Sequence, residues 1–268
     1  MKNLKSIFAL IMVLGLLGML TGCGGDDNPT APPRDTLTLD SAMAEDFTLQ
    51  ALEVVSGMVT EVPDFASADF GSWSLSKAEF AKVNTDTVAW DPAQNAWVFS
   101  YAGPLFEMES PSYWNMTLDL WVQYRNAGGA LRLPLGATVM EVRYGTGMDM
   151  HMVEGQETTD LAYEMNTGMT VSYLGDGTAY GVVGTGDTVM EVATVSPQGA
   201  QNGRVSMAWT LDVTVSDAGC PAGTATFTAQ QWQMVANYDG QGNANWTLTG
   251  PDYQGSGTET MGCGQPVN

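Results

Sequence analysis

Apolar and polar residues alternate along most of the chain beyond Thr87, and this period of two predicts β-strands. The alternation is clearest over residues 114–124 and 205–216, where one face carries mostly Trp, Met, Leu and Val and the other mostly Thr, Asp, Asn and Ser. Tight glycine-rich turns separate the apolar runs, which favours antiparallel pairing with one buried and one wet face. We expect roughly ten to twelve strands, and a sheet of that size must curl because strand twist accumulates.

Two stretches of the alternating region, residues 114–142 and 163–192, carry the same pattern. In both, an alternating run that ends in Tyr124 or Tyr173 is followed by a glycine-rich turn and then by the same five residues, Thr-Val-Met-Glu-Val. A period of about fifty residues predicts a β-hairpin unit that occurs twice.

A helix is predicted over residues 40–58, ahead of the first strand. Asp40 or Ser41 can cap its first turn, and Gly57 is expected to end it. A further short helical turn is expected from Ser76, with Glu79 at capping-box spacing. The main helix has one apolar stripe, which we expect to cover a face of the sheet: Met43, Phe47, Ala51, Val54, Val55 and Met58.

These patterns predict a mainly β fold, a large curled antiparallel meander with one N-terminal α-helix. A barrel, a half-barrel and a sandwich are all compatible with the strand pattern. Residues 40–268 are expected to form a single β-rich domain, since no second linker interrupts them.

The N-terminal residues have the features of an export signal. Lys2 and Lys5 precede an apolar run over residues 7–20 that is short for a membrane span. The run leads into Leu20-Thr21-Gly22-Cys23, which resembles the lipobox of bacterial lipoproteins. An uncleaved anchor helix is the alternative.

The lipobox resemblance implies that residues 1–22 are a signal peptide and that Cys23 receives a diacylglycerol and a further acyl chain such as palmitate. Gly24, rather than Asp, follows that cysteine, which resembles the pattern of lipoproteins exported to the outer membrane of Gram-negative bacteria. The expected location is therefore the cell envelope, anchored to the outer membrane by lipid, on its periplasmic or its surface face. Residues 23–39 are rich in Pro, Gly and polar residues, which predicts a flexible tether.

The composition is strongly acidic, with 30 acidic and 9 basic residues. Residues 1–22 hold two of the basic residues and none of the acidic ones, so their removal changes the formal charge from −21 to −23. Such a charge repels nucleic acid and anionic lipid headgroups, and no nucleic-acid partner is expected.

The residues available for catalysis are few. Cys220 and Cys263 lie in loop-like contexts of an exported chain, which predicts a disulfide, with two metal-binding thiols as the alternative. His151 is the one histidine, and neither a Gly-x-Ser-x-Gly nor a His-Glu-x-x-His motif occurs. A carboxylate pair of the glycosidase type stays possible, but nothing singles out two acids. We expect a protein that is not an enzyme.

One short segment has metal-binding chemistry, because Met148, Met150, His151 and Met152 are close in sequence. Thioethers and imidazole suit Cu(I), and the segment resembles Met-rich stretches of bacterial envelope proteins that handle copper. On a strand, however, His151 points away from the three methionines. The alternative is a core strand lined by methionine with His151 on the wet face, and apart from Cu(I) no cofactor is expected.

Three functions remain compatible with the sequence. The first is a non-enzymatic binding module for an apolar ligand or an envelope partner, in a layout that generally resembles lipocalins and lipoprotein-carrier half-barrels. The second is a structural or interaction lipoprotein without a small ligand, and the third is a Cu(I)-binding periplasmic protein. In each, the chain contacts the membrane through its N-terminal lipid.

Overall fold

The computed structural model describes residues 38–66, 88–104, 108–174, 179–197, 199–216, 219–261 and 263. The predicted signal peptide, the lipidated Cys23, most of the predicted tether and the short helical turn at Ser76 lie outside these residues. The described part contains one helix, α1 (Ser41–Ala66), and twelve strands: β1 (Ala89–Asp91), β2 (Ala96–Pro104), β3 (Tyr113–Asn126), β4 (Gly129–Leu131), β5 (Val139–Glu154), β6 (Glu157–Leu174), β7 (Ala179–Ser196), β8 (Gly199–Val215), β9 (Pro221–Ala229), β10 (Trp232–Asp239), β11 (Asn243–Gly250) and β12 (Tyr253–Thr260).

All twelve strands belong to one antiparallel sheet, which confirms the predicted mainly β meander. Strands adjacent in sequence are adjacent in the sheet, except that β5 pairs with β3 and the short β4 pairs only with the end of β3. The order of neighbouring strands in the sheet begins at β1 and ends at β12, and these two edge strands do not pair with each other within the described part of the chain. The sheet is therefore open.

Contacts of α1 show that the sheet curls. The Tyr253 hydroxyl of β12 donates a hydrogen bond of 2.8 Å to Glu45, while Phe47, half a turn further along α1, faces Tyr163 of β6. Six strand spacings separate β6 from β12, about 29 Å in a flat sheet at about 4.8 Å per spacing. A helix with its side chains is only about 10–12 Å wide, so the sheet must wrap around it.

The concave face of the sheet forms the core, and glycine makes room there for tryptophan. Gly186 lies directly across from Trp209, and Gly257 from Trp246. A Cβ atom added at Gly186 would be 2.5 Å from the indole of Trp209, and one at Gly257 would be 2.6 Å from that of Trp246. Glycine is unfavourable inside a strand, but these positions accept no larger residue without a shift of the indole.

The two sequence copies do not have equivalent pairing in the sheet. In the first copy Met140 pairs with Tyr124, beside the loop, whereas the matching Met190 pairs with Tyr163, far down β6. The reason is the connection between the strands. The first copy places β4 and residues 132–138 in it, while in the second β6 ends at Leu174 and β7 begins at Ala179. Similar sequences therefore give two different registers.

Both predicted ends of the helix can be compared with α1. Asp40 caps the start as expected, since its Oδ1 accepts a 2.9 Å hydrogen bond from the Met43 amide. The predicted stop at Gly57 is wrong, because α1 continues to Ala66. A glycine costs only about 1 kcal/mol within a helix, and buried Val55 and Val59 on either side of it pack into the core.

The predicted disulfide is present. Cys220 and Cys263 are joined, with 4.4 Å between their Cα atoms, and the bond ties the start of β9 to the chain that follows β12. Within the described ranges, no helix combines the length and the apolar character needed to cross a bilayer.

Candidate functional site

The helix α1 presents two apolar faces to the sheet, and only one of them is fully packed. The packed face lies against β9 and β10, and its side chains are at most 2% exposed: Ala44, Thr48, Leu52, Val55 and Val59. This face is shifted by one residue from the predicted stripe, of which Ala51 and Val55 are buried while the other four residues are only half-buried. The predicted stripe therefore does not coincide with the packed face.

Two hydroxyl residues explain why apolar periodicity misses the packed face. Thr48 donates to the carbonyl of Ala44 at 2.7 Å, and Ser56 donates to that of Leu52 at 2.6 Å. Ser56 also shares a 2.8 Å hydrogen bond with the Tyr238 hydroxyl. Because their polar atoms are satisfied by the helix itself, such residues can be buried even though they are polar.

Three side chains from strands β7 and β10 hold α1 in place along its length. The Trp232 indole donates to the Leu39 carbonyl at 3.0 Å, just before the helix begins. The Tyr180 hydroxyl donates to the Val59 carbonyl at 3.2 Å, and Ser56 meets Tyr238 between these points. Burial raises the pKa of Tyr180 and of Tyr238 to about 12, so both hydroxyls keep their protons at neutral pH.

A notch remains between the second face of α1 and strands β6 to β8. It has a volume of about 50 Å³ and is partly open to solvent. Six residues of the helix and six of the sheet line it: Phe47, Gln50, Ala51, Val54, Val55, Met58, Tyr163, Met165, Thr188, Met190, Met207 and Trp209.

The notch lining is apolar and contains no ionisable group that is charged at neutral pH. Four methionines contribute flexible, polarisable thioethers that adapt to irregular apolar shapes. Tyr163 is its one titratable residue. Burial raises the pKa of that tyrosine to about 12, against a smaller opposing effect of a hydrogen bond with Thr188. The Tyr163 hydroxyl also lies 3.5 Å from the sulfur of Met165.

Two further hydroxyls on the same concave face lack hydrogen bonds. The side-chain oxygens of Thr167 and Tyr173 are buried and have no partner among the described atoms. Thr167 lies two residues from Met165 on β6 and directly across from Gly186, beside the Trp209 indole. An apolar face with a few polar atoms that are not satisfied internally resembles the lining of small-molecule sites in general.

The predicted Cu(I) ligands are not brought together. Met148 and Met150 are 6% and 2% exposed on the concave face, where they pair with Met116 and Trp114. His151 lies on the opposite face, with its Nδ1 2.6 Å from Asp160 and its ring stacked on Tyr113 at 5.5 Å. Met152 is 36% exposed near the end of β5.

The described acids and the histidine do not form a metal site either. Among the residues that the structure describes, no three His, Cys, Asp or Glu side chains lie close enough together to hold a metal ion. His151 has one carboxylate neighbour, and Cys220 and Cys263 are used in the disulfide.

The predicted apolar stripe of α1 supplies most of the helical side of the notch, although it was expected to be covered by the sheet, and the strand side was not predicted. Trp209 belongs to a run whose alternation predicted a buried face, whereas Tyr163 and Thr188 belong to the repeated segment, for which no buried face was predicted. The missing information was which part of that face the helix leaves uncovered. That depends on the rotation of α1 about its own axis, which the bonds of Ser56 with Tyr238 and of Glu45 with Tyr253 help to fix.

The fold and the notch define a class of protein: an open antiparallel sheet curled around one helix, with an apolar notch between them. Comparisons with family models, with curated proteins and with solved structures found no match for the chain.

Proposed function

We propose that this chain is a non-enzymatic, lipid-anchored protein of the cell envelope that binds one end of an apolar chain in the notch beneath α1. The lipobox-like Leu20-Thr21-Gly22-Cys23 supports the anchor and the location at the outer membrane. The notch supports the ligand class.

The observation that carries this proposal is the second apolar face of α1. A helix on a protein surface normally buries its large apolar residues and exposes polar ones. Here Ala44 and Thr48 are fully buried against the sheet, while the larger Phe47, Val54 and Met58 stay half-buried along the notch. The helix therefore has more apolar surface than the domain buries. The unburied part faces a region of the sheet that is also apolar.

The size of the notch limits what it can take without a conformational change. Its volume of about 50 Å³ exceeds what one water molecule needs, but it is smaller than the ~150 Å³ at which engineered apolar cavities bind benzene. The notch as it stands therefore accommodates the end of a chain, and a longer stretch requires α1 to move away from β6 to β8. The flexible side chains of Met58, Met190 and Met207 favour such an adjustment.

A direct test is titration of the full chain with dansylaminoundecanoic acid, whose fluorescence rises in apolar surroundings. The test variant is Ala51→Met, which places a larger side chain in the notch. The matched control is Ala208→Met, because Ala208 is exposed on the convex face between Met207 and Trp209. We expect saturable binding by the wild type and by the control, and binding about tenfold weaker or worse for Ala51→Met.

Two results would contradict the proposal. Equal affinities of Ala51→Met and the wild type would place the ligand elsewhere. Absence of saturable binding by the wild type would remove ligand binding altogether. Circular dichroism of Ala51→Met shows whether the variant keeps its strand content, so a folding defect is separated from a filled notch.

The small volume of the notch supports a second candidate, a structural or interaction lipoprotein that binds no small ligand. Native mass spectrometry of the chain purified from its host distinguishes the two. Co-purified lipid or another apolar compound supports the binding module, and a co-purified protein without such a compound supports the second candidate.

A further inference from the structure

Three exposed leucines gather at one end of the sheet, and we call them the leucine tip. Leu133 and Leu135 are 53% and 90% exposed in the loop between β4 and β5, and Leu174 is 42% exposed at the end of β6. The two segments are neighbours, because the Tyr173 amide donates to the Thr138 carbonyl at 3.0 Å. Single exposed leucines are common on protein surfaces, but a group of them on adjacent loops indicates an interaction site.

Backbone hydrogen bonds hold the most exposed leucine outward. The Ala137 amide donates to the Pro134 carbonyl at 2.9 Å, which closes a β-turn with Leu135 at its first corner. Gly136 occupies the second corner with φ of +81°, as a type II turn requires. The Asn126 side chain donates to the Gly136 carbonyl at 3.2 Å. Leu135 is thus presented by an ordered turn.

Positive charge is concentrated around the same tip of this acidic chain. Four arginines lie in the described part, and three of them are on β3, β5 and the β4–β5 loop: Arg125, Arg132 and Arg143. The fourth, Arg204, is on β8 near the opposite end of the sheet. Two described acids also lie near the tip: Glu141 pairs with Arg125, and Asp91 stays charged because hydrogen bonds from the Gln94 side chain and the Ala93 amide lower its pKa. Three arginines therefore face these two carboxylates.

Tryptophans accompany the arginines at the base of the tip. The Arg132 guanidinium lies 5.9 Å from the ring of Trp90 and 5.6 Å from that of Trp97, and the two rings meet edge to face. On the convex face, Arg143 lies 4.5 Å above the ring of Trp121. Trp97 is buried, whereas Trp90 and Trp121 are half-buried. Partly exposed tryptophans and long basic side chains are the residues that proteins place at the boundary between lipid and water.

The other end of the sheet offers a contrast. Met152 and Val195 are also exposed there, at 36% and 51%. Their surroundings include Glu154, Glu157 and Asp160, so an anionic surface is repelled from that end. The net charge of the chain repels anionic lipid on average, and the leucine tip is the part where apolar exposure and positive charge coincide.

We propose that the leucine tip docks on the phospholipid bilayer that holds the N-terminal lipid, with its leucines among the headgroups and its arginines on phosphate. The choice of bilayer rests on the proposed lipid anchor, whereas the contact itself rests only on the residues of the tip. Leu39 is hydrogen-bonded to Trp232 at one end of β10, and the tip lies level with Asp239 at the other end of that strand. The length of the strand separates these two ends by about 24 Å. Residues 24–38 can span up to about 50 Å, which is enough to bring the tip to the same surface.

The experiment uses the full chain, reconstituted in vesicles of phosphatidylethanolamine and phosphatidylglycerol that contain doxyl-labelled phosphatidylcholine. An environment-sensitive NBD probe is attached to a cysteine introduced by Ala130→Cys, an exposed position of β4 beside the tip. The reference probe is attached through Ala200→Cys, exposed near the far end of β8. We expect a blue shift and doxyl quenching for the probe at 130 and neither for the probe at 200.

Substitutions then show whether the tip causes the contact. Leu133→Ser with Leu135→Ser should lower the ratio of docked to undocked protein by roughly tenfold to a hundredfold, from the apolar area removed. The matched control is Met152→Ser with Val195→Ser, since these two apolar residues are exposed at the other end of the sheet. Arg132→Gln should weaken docking at low salt and Arg204→Gln should not.

Three outcomes would overturn the proposal: an unquenched probe at 130, equal quenching at 130 and 200, or full quenching in the double serine variant. To identify the bilayer, the quencher is placed either in the protein's own vesicles or in added vesicles. Quenching only by added vesicles would refute docking on the anchoring bilayer, and a failure of vesicle anchoring itself would contradict the lipid anchor separately from the tip.

Discussion

The pairing of Gly186 with Trp209 gives a quantitative prediction. In a Gly186→Ala variant the new Cβ would lie 2.5 Å from three atoms of the indole, against about 3.5–4.0 Å for a favourable carbon contact. Trp209 is 3% exposed and has the fully buried Phe227 across from it on its other side. Because Trp209 lines the notch, we expect the indole to move toward that open space. Overpacking of this kind costs about 1–3 kcal/mol, and we expect a loss of about 2–3 kcal/mol in the free energy of unfolding.

The control is Gly168→Ala on the neighbouring strand. A Cβ there meets nothing within 4 Å, so this variant should be neutral or gain about 0.5 kcal/mol from the restricted unfolded chain. Urea unfolding followed by circular dichroism measures both variants, with equal denaturant slopes as the condition for comparing their midpoints. For a chain of this size, Gly186→Ala should lower Tm by about 5–10 °C.

A double-mutant cycle tests the mechanism itself. In a Trp209→Leu background the smaller side chain leaves room for the new methyl group, so Gly186→Ala should cost little there. If Gly186→Ala destabilises both backgrounds equally, or is no worse than Gly168→Ala, the steric explanation is refuted. Because the displaced indole enters the notch, Gly186→Ala should also weaken binding of the dansyl probe.

Three other predictions concern stability. Asp40→Ala should cost about 1 kcal/mol in urea unfolding because α1 loses its N-cap, and Asp40→Asn should cost clearly less; equal losses would contradict the capping role. Cys220→Ser with Cys263→Ser should cost about 2–4 kcal/mol by the same assay, and reduction of the wild type should reproduce that loss. Burial raises the pKa of Tyr238 from 10.0 to about 12, so the unfolded chain releases this proton first, and this residue alone contributes a fall in stability of up to about 1.4 kcal/mol per pH unit between pH 10 and 12. Tyr238→Phe loses the hydrogen bond with Ser56 and should be less stable at neutral pH, but its free energy of unfolding should fall less steeply above pH 10. An unchanged pH dependence in unfolding titrations would contradict the raised pKa of Tyr238.

Local patterns were sufficient to predict much of the fold. Alternation over residues 114–124 assigned Met116, Leu118 and Val122 to the buried face, and all three are buried. Residue type and position predicted Asp40 or Ser41 as the helix cap, of which Asp40 is the one observed, and the export signal and the cysteine count predicted the disulfide. Each of these inferences depends on neighbouring residues or on composition.

The remaining features depend on how distant segments meet. The packed face of α1 includes Thr48 and Ser56, whose burial depends on bonds to the helix backbone and to Tyr238. The notch exists because of the resulting rotation of α1. Likewise, Gly136 marks a turn within residues 132–138, but the local pattern does not show that this turn holds Leu135 outward, since that follows from the paired strands on either side.

The two proposed sites lie near the same end of the domain. The Tyr180 hydroxyl binds the carbonyl of Val59, next to Met58 in the notch, and Tyr180 pairs across the sheet with Tyr173. The amide of Tyr173 in turn binds Thr138, where the loop of the leucine tip closes. A bilayer touched by the tip would therefore lie beside the Met58 end of the notch, and an acyl chain leaving it would reach the half-buried face of α1 with little exposure to water. On this reasoning the apolar compound expected in protein purified from its host is a lipid, and a water-soluble apolar compound found there instead would mean that the notch and the tip act separately.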